Sequence, residues 1–215
     1  MTQQELSTYI KAEAKRLGFA VCGIAKASDV PSEESSRLKD WVAQGLHGTM
    51  SYLERNCDKR QSPATLFSGC KSIICVAMSY AQEEYNEEKL HISRYAQGAD
   101  YHKVIKDRLH LLLASIREKA DASINGRPFC DSAPVMEHYW AVQAGIGWVG
   151  RNHQLIIPRM GSYFFLGELF VDCELEYDKP FVLNHCGNCN KCINNCPTGA
   201  LTAEKQFAVT CGCAI

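Results

Sequence analysis

Lys71-Ser72-Ile73-Ile74-Cys75-Val76-Ala77-Met78-Ser79-Tyr80 is the stretch on which the fold turns. Ile73 to Val76 run without a polar break, three of the four are β-branched, and polar residues bound the segment. That pattern reads as a central strand covered on both faces. Phe19 to Ala25 gives a second short buried strand and Arg127 to Cys130 a third. Leu155 to Pro158 and Ser162 to Val171 look like a hairpin about Met160-Gly161. Helical patterns fall between the strands. Residues 3–17 place Leu6, Ile10, Ala14 and Leu17 on one face and stop at Gly18. Ser32 to Leu46 follows Pro31. Tyr101 to Ala122 carries a stripe of Val104, Ile105, Arg108, Leu109, Leu112 and Ile116, and Val135 to Ala144 forms a last helix. Helices alternating with buried strands predict one α/β (α+β) domain over residues 1–177. From Glu174 to Pro180 the pattern lapses into charged, turn-forming residues, and residues 178–215 are expected to form a second, smaller module.

The 215 residues are 46% hydrophobic and 22% charged, an ordinary globular composition. Lys and Arg number 23 against 24 Asp and Glu, which excludes a strongly basic chain, though not a local basic patch. Apolar runs such as Phe19 to Ala25 fall far short of the roughly 20 residues a helix needs to cross a bilayer. Glu5, Lys11 and Glu13 stand where a signal peptide needs a bare apolar stretch. A soluble, cytoplasmic protein with no membrane partner is expected.

Cysteine departs from the ordinary pattern. Of 12, six are scattered between Cys22 and Cys173 and read as small buried apolar residues. The rest crowd the end of the chain, where Cys186-Gly187-Asn188-Cys189-Asn190-Lys191-Cys192-Ile193-Asn194-Asn195-Cys196-Pro197 spells C-x₂-C-x₂-C-x₃-C-P, the bacterial ferredoxin run. Three thiolates at this spacing can wrap one cubane cluster while the fourth heads toward another. A structural zinc knuckle also uses Cys pairs, but sets them apart by a longer loop. Two 4Fe–4S clusters, each held by Cys₄, need more thiolates than the six of the tail. One cluster at most is therefore expected within residues 178–215, with Cys211 or Cys213 as a substitute ligand, or else the chain is a fragment. A one-electron carrier beside an α/β domain implies a redox cofactor or reducible substrate in that domain. Gly145-Ile146-Gly147-Trp148-Val149-Gly150 is a weak match to a dinucleotide fingerprint because it follows a helix, and no phosphate-binding P-loop is present.

Several further motifs stand together: Ile92-Ser93-Arg94-Tyr95-Ala96, Asp100-Tyr101-His102, Asp131-Ser132-Ala133-Pro134-Val135, Ala144 through Asn152, Gly161-Ser162, and Cys196-Pro197-Thr198-Gly199-Ala200. In combination they resemble the epoxyqueuosine reductases, cobalamin-dependent iron–sulfur enzymes that complete queuosine synthesis in tRNA. The resemblance covers nearly the whole chain. It implies a cobalamin-binding domain similar to flavin-reductase and nitroreductase-like proteins, followed by a ferredoxin-like domain, here partial, with two 4Fe–4S clusters in the family. It also implies a tRNA substrate, met at the anticodon loop, and an external electron donor. The reductive dehalogenases share this architecture.

By the same resemblance Asp131 is the proton donor. Arg60, Tyr95, Asp100, His102, Asn152, His153 and Ser162 belong to the cofactor pocket, where most of them are expected to converge with Asp131. Cys186, Cys189 and Cys192 match ligands of one cluster, and Cys196 and Cys211 match ligands of the other. Family members continue past the position of Ile215, so the chain is expected to be C-terminally truncated. Read from the residues alone, Asp131 before Pro134 also suits a turn or a helix N-cap, and His102 a helix start. Lys103, Lys106 and Arg108 form no basic stripe, so RNA binding rests on the resemblance. Two other functions remain open: an electron-transfer iron–sulfur protein, and a cobalamin-dependent reductase of a small molecule.

Overall fold

The computed structural model describes residues 1–81 and 92–202. In chain order its helices and strands are α1 (Gln3–Arg16), β1 (Val21–Lys26), α2 (Ser32–Ala43), α3 (Cys57–Gln61), α4 (Pro63–Leu66), β2 (Ser72–Ser79), α5 (Tyr101–Lys119), β3 (Gly126–Phe129), α6 (Glu137–Gln143), β4 (Trp148–Val149), β5 (Leu155–Ile156), β6 (Phe164–Val171) and α7 (Lys191–Asn194). Local chemistry sets the first of these. Thr2 Oγ1 accepts the Glu5 N–H and the Glu5 carboxylate accepts the Thr2 N–H, a capping box that starts α1. Gly18, at φ +88°, lets the chain turn away after its end.

The main sheet runs β1-β2-β6-β3, and each neighbouring pair is antiparallel. The chain is thus a mixed α/β fold on a small antiparallel sheet. Apolar runs report that both faces of a strand are covered and carry no information on direction. On one face α1 and α5 pack Leu6, Ile10, Ile105, Leu109 and Leu112 against Ile24, Ile74, Val76 and Leu169. On the other, Trp140, Ala141 and Ala144 of α6, with Leu155 and Ile157, cover Ile73, Cys75, Phe129 and Phe170. Cys75 and Phe129 both lie opposite Glu168 of β6, so that carboxyl shares the α6 face of the sheet.

One expected element is corrected. The segment around Met160-Gly161 turns back, but only Ile157 and Gly161 bridge across it. β5 pairs with β4 instead, and β6 joins the main sheet beside β2. A full hairpin would leave β2 without the partner that eight register pairs on β6 supply. The stretch expected as a boundary is held against the first domain as well. Leu175 is 1% exposed, the Asp178 carboxylate accepts the Ile24 N–H at 2.8 Å, and its other oxygen pairs with Lys11 at 2.6 Å.

The closest approach in the core is at Gly23, where a Cβ would stand 2.1 Å from the Ala144 carbonyl oxygen. Gly23→Ala should therefore push α6 off the sheet and cost about 1–3 kcal/mol. Urea denaturation checks this, and an unchanged midpoint would mean that α6 is free to shift. Among the described residues no helix is long and apolar enough to cross a membrane.

Candidate active site

Asp131 lies in the turn between β3 and α6, with φ at +55°, a conformation Asp tolerates better than most residues. It does not cap α6, whose N-cap is Met136 with no side-chain bond. Two neighbours on the first turn of α5 hold its carboxylate. The Tyr101 hydroxyl donates to Asp131 Oδ2 at 2.5 Å, and His102 Nε2 lies 3.1 Å from the same oxygen. His102 Nδ1 in turn meets Asp100 Oδ1 at 2.8 Å, while the Asp100 side chain accepts the His102 N–H and caps α5. These bonds to His102 keep the Asp100 carboxyl below its ordinary range. Burial first, and then the bond to Asp131, push the Tyr101 phenol well up, so it stays a donor.

The backbone beneath the acid is tied as well. The Asp131 N–H donates to Glu137 Oε1 at 2.5 Å, and Lys106 reaches the Ser132 hydroxyl at 3.0 Å. Burial pushes the Glu137 carboxyl up to about 7. Deeper, Glu168 is fully buried, and neither carboxyl oxygen has a hydrogen-bond partner. Burial, with the Glu137 charge second, holds this group well above the usual carboxylate range, so it is neutral.

A cleft of about 350 Å³ opens beside Asp131, with Arg60, Tyr52 and His138 set among Leu38, Leu53, Val135 and Met136. Its apolar wall and few polar groups suit a flat ligand with a polar rim. Burial lowers the His138 ring, and the charge of His153 adds to the effect. On the other side of the acid, Tyr101 stacks on Phe165 with centroids 4.1 Å apart, and Phe165 meets Tyr80 at 4.6 Å. Tyr163 packs edge-on against Tyr80 and carries Arg94 over its ring. Tyr95 is exposed at the same patch, close enough to add to the burial and the Tyr163 charge that raise the Tyr80 phenol.

The residues predicted from sequence divide accordingly. Asp100, His102 and Asp131 form one hydrogen-bonded chain, Arg60 shares the Asp131 cleft, and His153 lies near enough for its charge to lower His138. Tyr95 belongs to the aromatic patch. Asn152 uses its carboxamide oxygen to accept the Gln154 N–H within its own turn, at 3.2 Å. Ser162, partly buried in the turn before β6, takes no part in the Asp131 chain. Tyr101, Glu137 and Glu168 were not singled out from sequence. For Glu168 the signal was there: one charge within the apolar run Phe164 to Val171.

The cysteines fall into two chemical groups. Burial pushes Cys22 and Cys70 up to about 12 and Cys173 to about 11, and raises Cys75 and Cys130 well above the usual thiol range, as suits inert core thiols. Cys196 goes the other way, to about 7, because the backbone N–H groups of Leu201 and Thr198 point at its sulfur. A nest of amides around a thiolate is the setting an iron–sulfur ligand needs. Cys192 rides on α7, and the Cys189 N–H donates to the Cys186 carbonyl at 2.8 Å. Arg151 clamps this loop to the first domain through the Gly187 carbonyl, at 2.9 Å, and the Asn190 carboxamide. Among the described residues no three Cys, His, Asp or Glu side chains stand together as a metal site, and Cys211 lies outside those residues.

The fold is shared with the reductive dehalogenases: a solved catabolic member, 16% identical, matches 94% of this chain and 26% of its own with a TM-score of 0.62. The family model described as "Epoxyqueuosine reductase QueG, DUF1730" matches residues 60–132. An epoxyqueuosine reductase of Leadbetterella byssophila is 45% identical over 97% of this chain and 68% of its own. One from Cellulophaga algicola is 44% identical over 93% of this chain and 65% of its own. A solved epoxyqueuosine reductase holding an epoxyqueuosine-modified tRNA stem loop is 28% identical, with a TM-score of 0.86 over 97% of this chain and 56% of its own. The chain belongs to the epoxyqueuosine reductase family. It spans about two thirds of the length of these curated relatives.

Proposed function

We propose that this chain supplies the cofactor-binding and proton-donating part of an enzyme that reduces epoxyqueuosine to queuosine in the anticodon loop of tRNA. The observation that carries the reading is Asp131, turned to positive φ and gripped by Tyr101 and His102 at the mouth of the Arg60 cleft. Removing the epoxide oxygen as water and leaving a C=C bond takes two electrons and two protons. A bound cobalamin, fed by iron–sulfur clusters and an external donor, would supply the electrons. Asp131 delivers a proton to the departing oxygen, and the Tyr101 hydroxyl then stabilises the carboxylate left behind. His102, in touch with both Asp100 and Asp131, can pass a proton back to the acid.

What supports the cofactor is the chemistry of the cleft's lining, not its volume. Arg60, Tyr52 and His138 offer donors for amide groups around an apolar wall. Residues 1–177 are read as the flavin-reductase or nitroreductase-like cobalamin domain, and 178–215 as a partial ferredoxin-like module. There Cys186, Cys189, Cys192 and Cys196 are ligands, with Cys211 a further one by resemblance. Tyr80, Tyr95, Tyr163 and Arg94 offer a stacking surface beside the acid, which suits unpaired bases of an RNA loop. A solved relative from Bacillus subtilis is described with its aspartate-bearing catalytic loop swung out of the active site, and the Asp131 turn is expected to move likewise.

Anaerobic purification of the full-length protein tests the reading. Corrin bands with a broad iron–sulfur shoulder are expected, together with conversion of an epoxyqueuosine-modified stem loop. The shoulder without corrin bands would make the protein an electron carrier. Corrin bands without action on the stem loop would leave a small-molecule reductase.

A further inference from the structure

We propose that Glu137 is a positioning residue for Asp131: its carboxylate takes the Asp131 N–H and locks the acid's backbone in the left-handed region. A non-glycine residue at positive φ persists only where its surroundings hold it there. The side-chain bonds from Tyr101 and His102 fix the carboxylate of Asp131, but they leave its φ free to relax. The one bond on its N–H comes from Glu137, six residues on, at the start of a helix packed on the sheet. That bond passes the rigidity of α6 to the turn.

The carboxyl behind it explains why the latch is not doubled in charge. Glu168 projects from β6 beneath α6 and stays neutral, so Glu137 is the member of the pair that ionises. Around the pair stand Asp131, whose N–H lowers Glu137 while its charge raises it, and His102 and Lys106 of α5, which lower it. Cys75 of β2 and Cys130 after β3 are held as thiols, and His138 on α6 as a neutral ring. No full charge of opposite sign is buried with the carboxylate. The latch therefore tightens as pH rises through about 7, where Glu137 loses its proton.

The consequence for turnover rests on reading Asp131 as the acid, so the first measurement needs no turnover. Hydrogen exchange at the Asp131 amide is followed in the full-length protein. Glu137→Ala should lose about ten- to hundredfold of the protection, the range for a bond to a charged acceptor. Glu137→Gln, whose amide oxygen still accepts, should keep most of it, and its protection should no longer change as pH passes 7. Wild-type protection in the Ala variant would overturn the latch. So would a Gln variant that loses as much as Ala, or one that still titrates, and the Gln arm stands even if the Ala variant misfolds. In the cofactor-loaded enzyme, kcat should fall with Ala at unchanged KM and recover with Gln. Exchange that responds while kcat does not would overturn the positioning role. Indifference of turnover to Asp131→Asn would instead sink the reading of Asp131 as the acid.

Discussion

Asp131→Asn is expected to lower epoxyqueuosine reduction by the cofactor-loaded full-length protein by about 100-fold or more, within the range for general acid catalysis. The amide keeps the size of the carboxyl and an acceptor oxygen for the Tyr101 hydroxyl, now 2.5 Å away. Asn also tolerates positive φ, so the turn at +55° survives and the Glu137 bond to the backbone with it. What is lost is the capacity to release a proton to the departing oxygen. Absorbance of the bound cofactor and the melting temperature should stay close to wild type, which separates chemistry from folding. Steady-state turnover of a modified stem loop is the measurement. A variant with undiminished kcat removes Asp131 from proton transfer.

Glu168→Gln is expected to stabilise the protein at pH 8, while the two proteins differ little near pH 4. Both oxygens of Glu168 are buried without a partner, and its folded-state pKa lies well above the ordinary 4.5. Folding thus requires a proton that the unfolded chain gives up. The stability is fully present below about pH 4.5 and is lost as pH climbs toward the folded value. Glu137, raised to about 7, adds to the same slope over a narrower window. Gln has nothing to titrate, so the variant keeps only the Glu137 part. Denaturant titrations from pH 4 to 8 should give a steeper decline in the wild type. Parallel curves would mean that Glu168 finds a partner or water in solution.

What the sequence revealed depended on whether one strand or one spacing carried the information. β2 was readable from Ile73 to Val76 alone, because a segment buried on both faces has no polar break. Its direction was not, since antiparallel pairing with β6 is settled by residues more than eighty positions later. The turn at Gly161 was readable from its composition. The strands it would join were not, because β5 finds its partner in β4. Asp131, Asp100 and His102 were found through motifs that resemble a family. Glu137 and Glu168 matter only because α6 lies across β6, a relation with no local signature. The cysteine spacing pointed to candidate ligands but left their arrangement open, as expected where metal uptake and folding go together.

Arg151 joins the turn between β4 and β5 to the cysteine loop through Gly187 and Asn190. Two residues on, the charge of His153 is felt at His138, which lines the cleft. One short turn thus lies between the cysteine loop and the region of the Asp131 cleft. If order in one is coupled to order in the other, thermodynamic reciprocity makes the effect equal in both directions. Under the proposed function, filling the cleft should favour metal uptake by the loop by the same factor as metal uptake favours filling the cleft.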